Sequence, residues 1–341
     1  MLRQIDKFIT WNAKMRRYDP VLWRREILPS WLTIRDTDAT LPLTIPVSPG
    51  TPPLTIFQPY TSVNGADQGL GTPFEVRSLV YQDSTDGTDS ADFSVFLQEV
   101  GEARQFMNQP IHIKTLAGTG ALPAVLREPY MFLSQHNISA KFVKLSGGST
   151  TARFYMCGAQ YFPWSPMMTQ YPAQKKELTG LLQKWMERRK YVTPFWMTAD
   201  NPNGLVTIPA LVGSTATAQV KVGDDGHFEC FGHCAHSTGN FSFQASEAKT
   251  NQRFQNGEID QVNGFGDARF PTIYPTPYLL PAGYVMKLFF KNLIAGVNNV
   301  NITFFGRKIY APIKQVAEVL RSTAVPTPAD SASQMVPAPL L

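Results

Sequence analysis

The chain repeats itself. Shifted by 148 residues, the segment 104–162 falls on 252–310 without a gap. Phe106 meets Phe254, Asn108 meets Asn256, Ile111 meets Ile259, Gly118 meets Gly266 and Pro123 meets Pro271. Further on, Pro129-Tyr130 meets Pro277-Tyr278, Phe142 meets Phe290, Leu145 meets Leu293, Gly148 meets Gly296 and Gly158 meets Gly306. That makes 11 identities in 59 positions, where ordinary residue usage gives about three or four. The shared residues are Gly, Pro, Asn and large apolar types, which fix turns and fill cores. Upstream the register slips but the order persists. Phe74-Glu75 answers Phe228-Glu229, and Leu43-Thr44-Ile45-Pro46 answers Val206-Thr207-Ile208-Pro209. A chain built this way folds as two copies of one unit, over about 43–162 and 205–310.

Each copy reads as short strands. Phe93–Gln98 and Phe241–Ala245 alternate with period 2, as a half-buried strand does, and Val285–Phe290 and Val300–Gly306 read similarly. Ala295–Asn299 and Ser146-Gly147-Gly148 supply hairpin turns, since Gly and Asn accept the positive φ a tight turn needs. With 27 Pro, 24 Gly and 40 aromatic residues in 341, the composition suits strands and turns better than helix bundles. Seven or eight strands in roughly 115 residues is one antiparallel sandwich. The long crossing 115–127, matched by 263–275, suits a jelly-roll crossover better than a meander. The expected fold is all-β: two tandem antiparallel jelly-roll sandwiches joined by an amphipathic helix.

Five segments follow: an N-terminal basic arm over 1–42, a first sandwich over 43–165, a helical connector over 166–200, a second sandwich over 201–312, and a short helix with a Pro-rich tail over 313–341. Within the arm, 2–17 reads as a short amphipathic helix with Ile5, Phe8, Ile9 and Met15 on one side. Residues 174–190 read as a stronger one, where Leu178, Leu181, Leu182, Trp185 and Met186 form one apolar stripe that ends before Thr193-Pro194. From Pro326 the Pro/Ala/Ser tail has neither period and is expected to be extended.

The net charge of +5 is unevenly placed. Residues 1–30 and 174–190 each carry +4, so the remaining chain is net acidic. The basicity belongs to the arm and connector and not to a groove across the sheets, which makes solvated helix faces or contact with an acidic neighbour the expected uses. Packaged nucleic acid is the less favoured neighbour. No run of about 18 apolar residues predicts a membrane-spanning helix. The first residues lack the apolar stretch of a secretory signal, and the three scattered cysteines do not form a disulfide framework.

Motifs for chemistry are sparse. His227, Cys230, His233, Cys234 and His236 are dense, but strict alternation puts Cys230, Cys234 and His236 on one strand face and both other histidines opposite. Buried core cysteines are preferred to a zinc site. Asp83, Asp86, Asp89 and Asp92 are spaced by three, which misses an EF-hand ligand order and fits an exposed turn. Neither Gly-x-Ser-x-Gly nor a dinucleotide loop occurs, and the triplets at Asn137, Asn240 and Asn301 carry little without a secretory route. The reading is therefore non-enzymatic, with no metal and no cofactor. Trp11, Trp23 and Trp31 near the N-terminus, and Trp164, Trp185 and Trp196 near the connector, lie outside the repeats or at their edges, where docking onto neighbours is the ordinary use.

Pro277–Tyr284, a strand, a Gly/Asn turn and Asn301–Tyr310 together resemble the closing strands of jelly-roll virion proteins of double-stranded DNA bacteriophages. Pro129-Tyr130 and Phe154–Phe162 repeat that pattern more loosely, and the resemblance, to a double jelly-roll arrangement, spans about 43–310. It implies a capsid, decoration or collar component that assembles in the host cytoplasm, with copies of itself and other virion proteins as partners. Trp11, Arg16, Arg17, Trp23, Arg24, Arg25, Trp31, Trp185, Arg188 and Arg189 are then the expected assembly contacts. The other class of function considered is a receptor- or carbohydrate-binding β-sandwich module.

Overall fold

The computed structural model describes residues 9–12, 17–20, 27–34, 43–45, 54–58, 72–83, 92–100, 104–133, 137–145, 150–161 and 172–310. The chain is mostly β-strand, and four antiparallel sheets of four or five strands make up two sandwiches.

In the first sandwich the strands are β3 (Ile27–Ile34), β4 (Leu43–Ile45), β5 (Leu54–Gln58), β6 (Phe74–Asp83), β7 (Phe93–Glu99), β8 (Arg104–Gln105), β9 (Ile111–His112), β10 (Ala124–Phe132), β11 (Ile138–Lys144) and β12 (Thr150–Tyr161). One sheet runs β10-β6-β12-β3, with β4 also on β12; the other runs β5-β11-β7-β8, with β9 on β7. The second sandwich comprises β13 (Val192–Thr198), β14 (Leu205–Ile208), β15 (Thr215–Lys221), β16 (His227–Ser237), β17 (Phe241–Glu247), β18 (Ile259–Asp260), β19 (Thr272–Leu280), β20 (Val285–Asn292) and β21 (Asn298–Ile309). Its sheets run β19-β16-β21-β13, with β14 on β21, and β15-β20-β17-β18. The two orders match except at one edge, where β18 answers β9 and β8 has only the isolated bridge Ser246–Arg253 as its counterpart.

The repeat seen in the sequence is therefore a repeat of structure, down to its irregularities. The β10–β6 register slips between Val125 and Tyr130, and β19–β16 slips between Ile273 and Tyr278. Gly158 lies where a Cβ would meet the Glu75 carbonyl oxygen at 1.7 Å, and Gly306 where it would meet that of Glu229 at 2.0 Å. Both are sites of close backbone approach that no larger residue fills. Ile45 pairs with Thr150 and Ile208 with Asn298, so the slipped upstream match is also structural.

Each sandwich has its own apolar core. Phe74, Phe93, Phe142 and Phe154 fill the first; Phe228, Phe241, Phe290 and Ile302 fill the second. Alternation along β20, where Met286, Leu288, Phe290 and Asn292 are buried and their neighbours are not, puts one face of the strand on the core. A fully buried Phe contributes about 1.5–3 kcal/mol, so two cores of this kind provide two separate centres of stability.

The boundaries differ from expectation in three places. Ile27–Ile34, expected in the arm, is an edge strand of the first sandwich and pairs with β12 from Phe154 to Tyr161. Val192–Thr198, expected in the connector, is the matching edge strand of the second and pairs with β21. Pro194 is tolerated in β13 because an edge strand has one side without a ladder. In the arm, β1 (Ile9–Asn12) and β2 (Arg17–Pro20) pair antiparallel where a helix over 2–17 was expected. Ile9-Thr10-Trp11 is a β-branched and aromatic run, which favours a strand. The connector helix is present over Pro172–Tyr191. The tail over 313–341 lies outside the described residues.

Candidate functional site

The arrangement with the most chemistry in it is the junction where the connector helix and the two sandwiches meet. The helix docks on the first sandwich through Trp185, which is buried against Met131, Ala159 and Tyr161 with Leu182 beside it. The buried line continues to Arg189 and not to Met186, which is 47% exposed. Positions 182, 185 and 189 follow one helix face, and the sequence stripe missed that a charged residue completes it.

Arg189 is 3% exposed and Glu99 is fully buried. The Arg189 Nη2 donates to both Glu99 carboxylate oxygens at 2.7 Å and to the Tyr130 hydroxyl at 2.9 Å. The Tyr130 hydroxyl in turn donates to Glu99 at 2.5 Å. Burial, and then the Glu99 charge, push the Tyr130 hydroxyl well above the usual tyrosine range. Arg104 donates to the Arg189 carbonyl at the helix C-terminus and to the Thr193 hydroxyl at 2.9 Å, so a cation meets the negative end of the helix dipole.

A second network crosses between the sandwiches. Arg188 forms two bonds to Glu128, at 2.7 and 3.0 Å. Arg307, on the other sandwich, reaches the same carboxylate at 3.2 Å and also bonds Glu229. Beyond it, His112 stacks on His236 with ring centroids 4.5 Å apart. Thr303 donates to Thr115 at 2.8 Å, and the Ala268 amide donates to the Lys114 carbonyl at 3.1 Å. The His112 hydrogen bond holds the Asp92 carboxyl below its ordinary value.

The strand edge contributes too. The Trp196 amide donates to the Phe106 carbonyl at 2.9 Å, and the Asn108 amide to the Trp196 carbonyl at 3.3 Å. Asn108 bonds the Thr198 main chain both ways, at 2.9 Å each. Residues 106–108 of the first sandwich thus lie in parallel along the free edge of β13 of the second.

Of the ten residues expected at an assembly surface, Trp185, Arg188 and Arg189 are occupied inside this junction. Trp11, Arg17 and Trp31 lie on β1, β2 and β3. Arg16, Trp23, Arg24 and Arg25 lie outside the described residues, as do Trp164, Asp86 and Asp89. The sequence reading missed Asn108, Glu128, Thr198 and Arg307. One signal for the edge was available: Pro29-Ser-Trp31-Leu-Thr33 and Pro194-Phe-Trp196-Met-Thr198 share every second residue.

The cysteine–histidine stretch needs a correction. A bulge between Cys230 and Gly232 breaks the alternation of β16. Cys230 and His233 therefore share the inner face, while Cys234 and His236 face the first sandwich. His233 bonds the Tyr274 hydroxyl at 2.8 Å and the Gly264 carbonyl at 2.9 Å, and burial lowers its pKa. Burial pushes the Cys230 thiol up to about 12 and raises Cys234 as well. Among the described residues no group of three or more His, Cys, Asp or Glu side chains could hold a metal ion. A groove of about 390 Å³ opens beside His233, and Phe254, Tyr274 and Tyr278 line it. Among the described residues no helix is long and apolar enough to cross a membrane.

No protein-family model matches the chain, and no curated protein matches it in sequence. Solved structures similar to it include that of a plant receptor-like kinase, ANX2, with 10% identity over 89% of this chain and 94% of the other, at a TM-score of 0.20. Another is the N-terminal tandem CBM22 domain of Paenibacillus barcinonensis Xyn10C, with 7% identity over 82% and 98% and a TM-score of 0.19. A third is infectious bursal disease virus, Gx strain, with 10% identity over 84% and 75% and a TM-score of 0.17.

Proposed function

We propose that this chain is a non-enzymatic structural protein of a virus particle, a double jelly roll that works through multimeric assembly. The bacteriophage capsid, decoration or collar role implied by the sequence resemblance belongs to this proposal, as does a place in the virion.

One observation carries the reading: but for the edge at β8, both halves have the same strand order. In each, the last strand lies between an early edge strand and the central β6 or β16, the strand after the long crossing takes the far edge, and the second sheet interleaves with the first in sequence. That interleaving supports a jelly-roll reading of each half. Two copies joined by the Arg307–Glu128 ion pair and the strand-edge contact at Trp196 suit a load-bearing block better than a hinge around a substrate.

The sugar-binding alternative asks for a flat aromatic platform. Phe254 and Tyr278, both exposed beside the groove, meet edge to face at 81°, which offers a stacking sugar no shared plane.

Light scattering of the full chain, and of a chain lacking residues 1–26 and 311–341, tests the proposal. Assembly into a defined large species supports it, with the trimmed chain showing how much the termini contribute. A single-chain mass at every concentration, together with specific retention on a glycan array, would replace it with the binding module.

A further inference from the structure

The two copies present matching segments, and among the described residues only the first copy's segment meets the other sandwich. In the first, the segment 106–116 lies between its own core, which holds Phe106, Met107, Ile111 and Ile113, and the second sandwich, where Phe106 and Asn108 bond Trp196. Phe106 is 3% exposed and Met107, Ile111 and Ile113 are fully buried. Several of their counterparts 148 residues on are more open. Phe254 is 41% exposed, Val262 is 78% exposed, and Asn256 is exposed.

The receiving edge is duplicated as well. Trp196 pairs with Phe305 and Trp31 with Cys157, and 305 and 157 differ by the repeat distance. By the same register Thr198 corresponds to Thr33. Trp196 and Thr198 receive Phe106–Asn108 on the outer edge of β13. The outer edge of β3 at Trp31 and Thr33 is its equivalent, and among the described residues no segment pairs with it. Among the described residues, one molecule therefore has an uncovered plug on one copy and an unpaired edge on the other.

We propose that Phe254–Asn256 and the adjoining short helix Gln261–Gly264 dock on the β3 edge of a second copy of this chain. The contact would reproduce between chains the one that Phe106–Asn108 makes with β13 within the chain. Asn256 takes the part of Asn108 and bonds the Thr33 main chain in both directions. Plug and edge lie on different copies, so the contact is head-to-tail and propagates into a ring or a chain.

The composition of the plug agrees with a separable interface. Where the first copy has Met107, Ile113 and Leu116, the second has Gln255, Gln261 and Gly264. Such a surface stays soluble before assembly, as interfaces between folded partners must. The inference rests on the assembly reading above and gives it a partner and a surface.

The test uses the full chain. Asn256→Ala with Val262→Glu should lower the mass from the assembled species to the single chain at matched concentration, with an unchanged circular dichroism spectrum. Val262→Glu alone, at a position open to solvent, guards against a folding defect and should weaken assembly by itself. A photoreactive amino acid in place of Asn256 should crosslink to residues 27–34 of another chain, mapped by mass spectrometry. If the variants assemble like the parent, this contact is refuted while the assembly reading stands. If crosslinks run to the chain's own first 26 residues, the arm covers the plug and the proposal falls. If the parent is a single chain at every concentration, both readings fall together.

Discussion

Glu99→Leu is the substitution from which the junction is most exposed to refutation. The carboxylate is fully buried and its partner Arg189 is 3% exposed, so neither is screened by water. Removing the carboxylate leaves a guanidinium in the interior with the Tyr130 hydroxyl as its acceptor at 2.9 Å. Breaking one side of a buried pair costs about 3–5 kcal/mol, whereas replacing both sides with apolar groups of similar volume is often neutral or stabilising. Glu99→Leu or Arg189→Met alone should therefore destabilise the first sandwich by about 4 kcal/mol. At a urea slope of roughly 2 kcal/mol/M, the midpoint drops by about 2 M.

The double variant should return to within about 1 kcal/mol of the parent, so the two effects are strongly non-additive. With six tryptophans in the chain, fluorescence would mix the two sandwiches. Hydrogen exchange separates them: β7 and β10 amides should lose protection in the single variants while β17 and β20 amides keep theirs. A loss below about 1 kcal/mol in either single variant, or single-variant effects that simply add in the double, would show the pair to be solvated. The account of the junction as a desolvated clamp would then be wrong.

Further outcomes follow from the same structure. Gly158→Ala and Gly306→Ala should each destabilise their own sandwich by a similar amount, about 1–3 kcal/mol, read as two separate losses of exchange protection. His233 has its pKa lowered by burial, so the unfolded chain takes up a proton before the folded one does. Stability should fall as pH drops through about 6.5, the usual histidine value, and His233→Asn should flatten that slope in urea melts. Asp92 is shifted in the same direction: its carboxyl lies below its ordinary value. The stability it adds is present above that value and is lost as pH falls through the lower folded one, a loss that Asp92→Asn removes. Cys230 and Cys234 are buried and Cys157 is part-exposed; iodoacetamide on the native protein should label Cys157 first.

Much of this architecture was legible in the sequence because turns and cores leave repeated residues. Gly118 and Gly266 align, and each closes against a carbonyl four residues on, at Leu122 and Phe270. Gly158 and Gly306 align for the same kind of reason. What was not legible was context. The edge strands β3 and β13 fall outside the gapless register, since the stretches between them and the matched block differ in length, and on sequence alone they belong to arm and connector. The bulge at Phe231 is a single unpaired residue, and period-2 counting carries straight through it, so Cys230 and His233 were put on opposite faces. Arg189 was counted as surface charge because its partner, Glu99, comes from a strand 90 residues earlier. The arm misled in another way: Ile5, Phe8, Ile9 and Met15 fit a helical stripe while Ile9-Thr10-Trp11 also fits a strand. Short segments carry both periods, and pairing decides between them.

The duplication also explains why one half of the molecule is more polar than its twin. A contact within a chain forms as the chain folds, so the first copy can hold Met107, Ile111 and Ile113 in its own core beneath the contact with the second sandwich and never present them to solvent. The matching surface of the second copy has no such cover among the described residues, and a chain that also kept a methionine at 255 and an isoleucine at 261, beside the retained Ile259 and the exposed Val262, would widen its apolar patch. Glutamines at 255 and 261 meet that demand, while Phe254 and Asn256 keep the ring and the amide that the first copy uses for docking. Loss of apolar character at the rim with retention of the docking pair is the pattern expected of a surface that is wet before assembly and covered afterwards. A surface with no partner would have no reason to retain the same Phe-x-Asn. Nor would the opposite edge, at Trp31 and Thr33, have reason to retain the Trp-x-Thr that receives it.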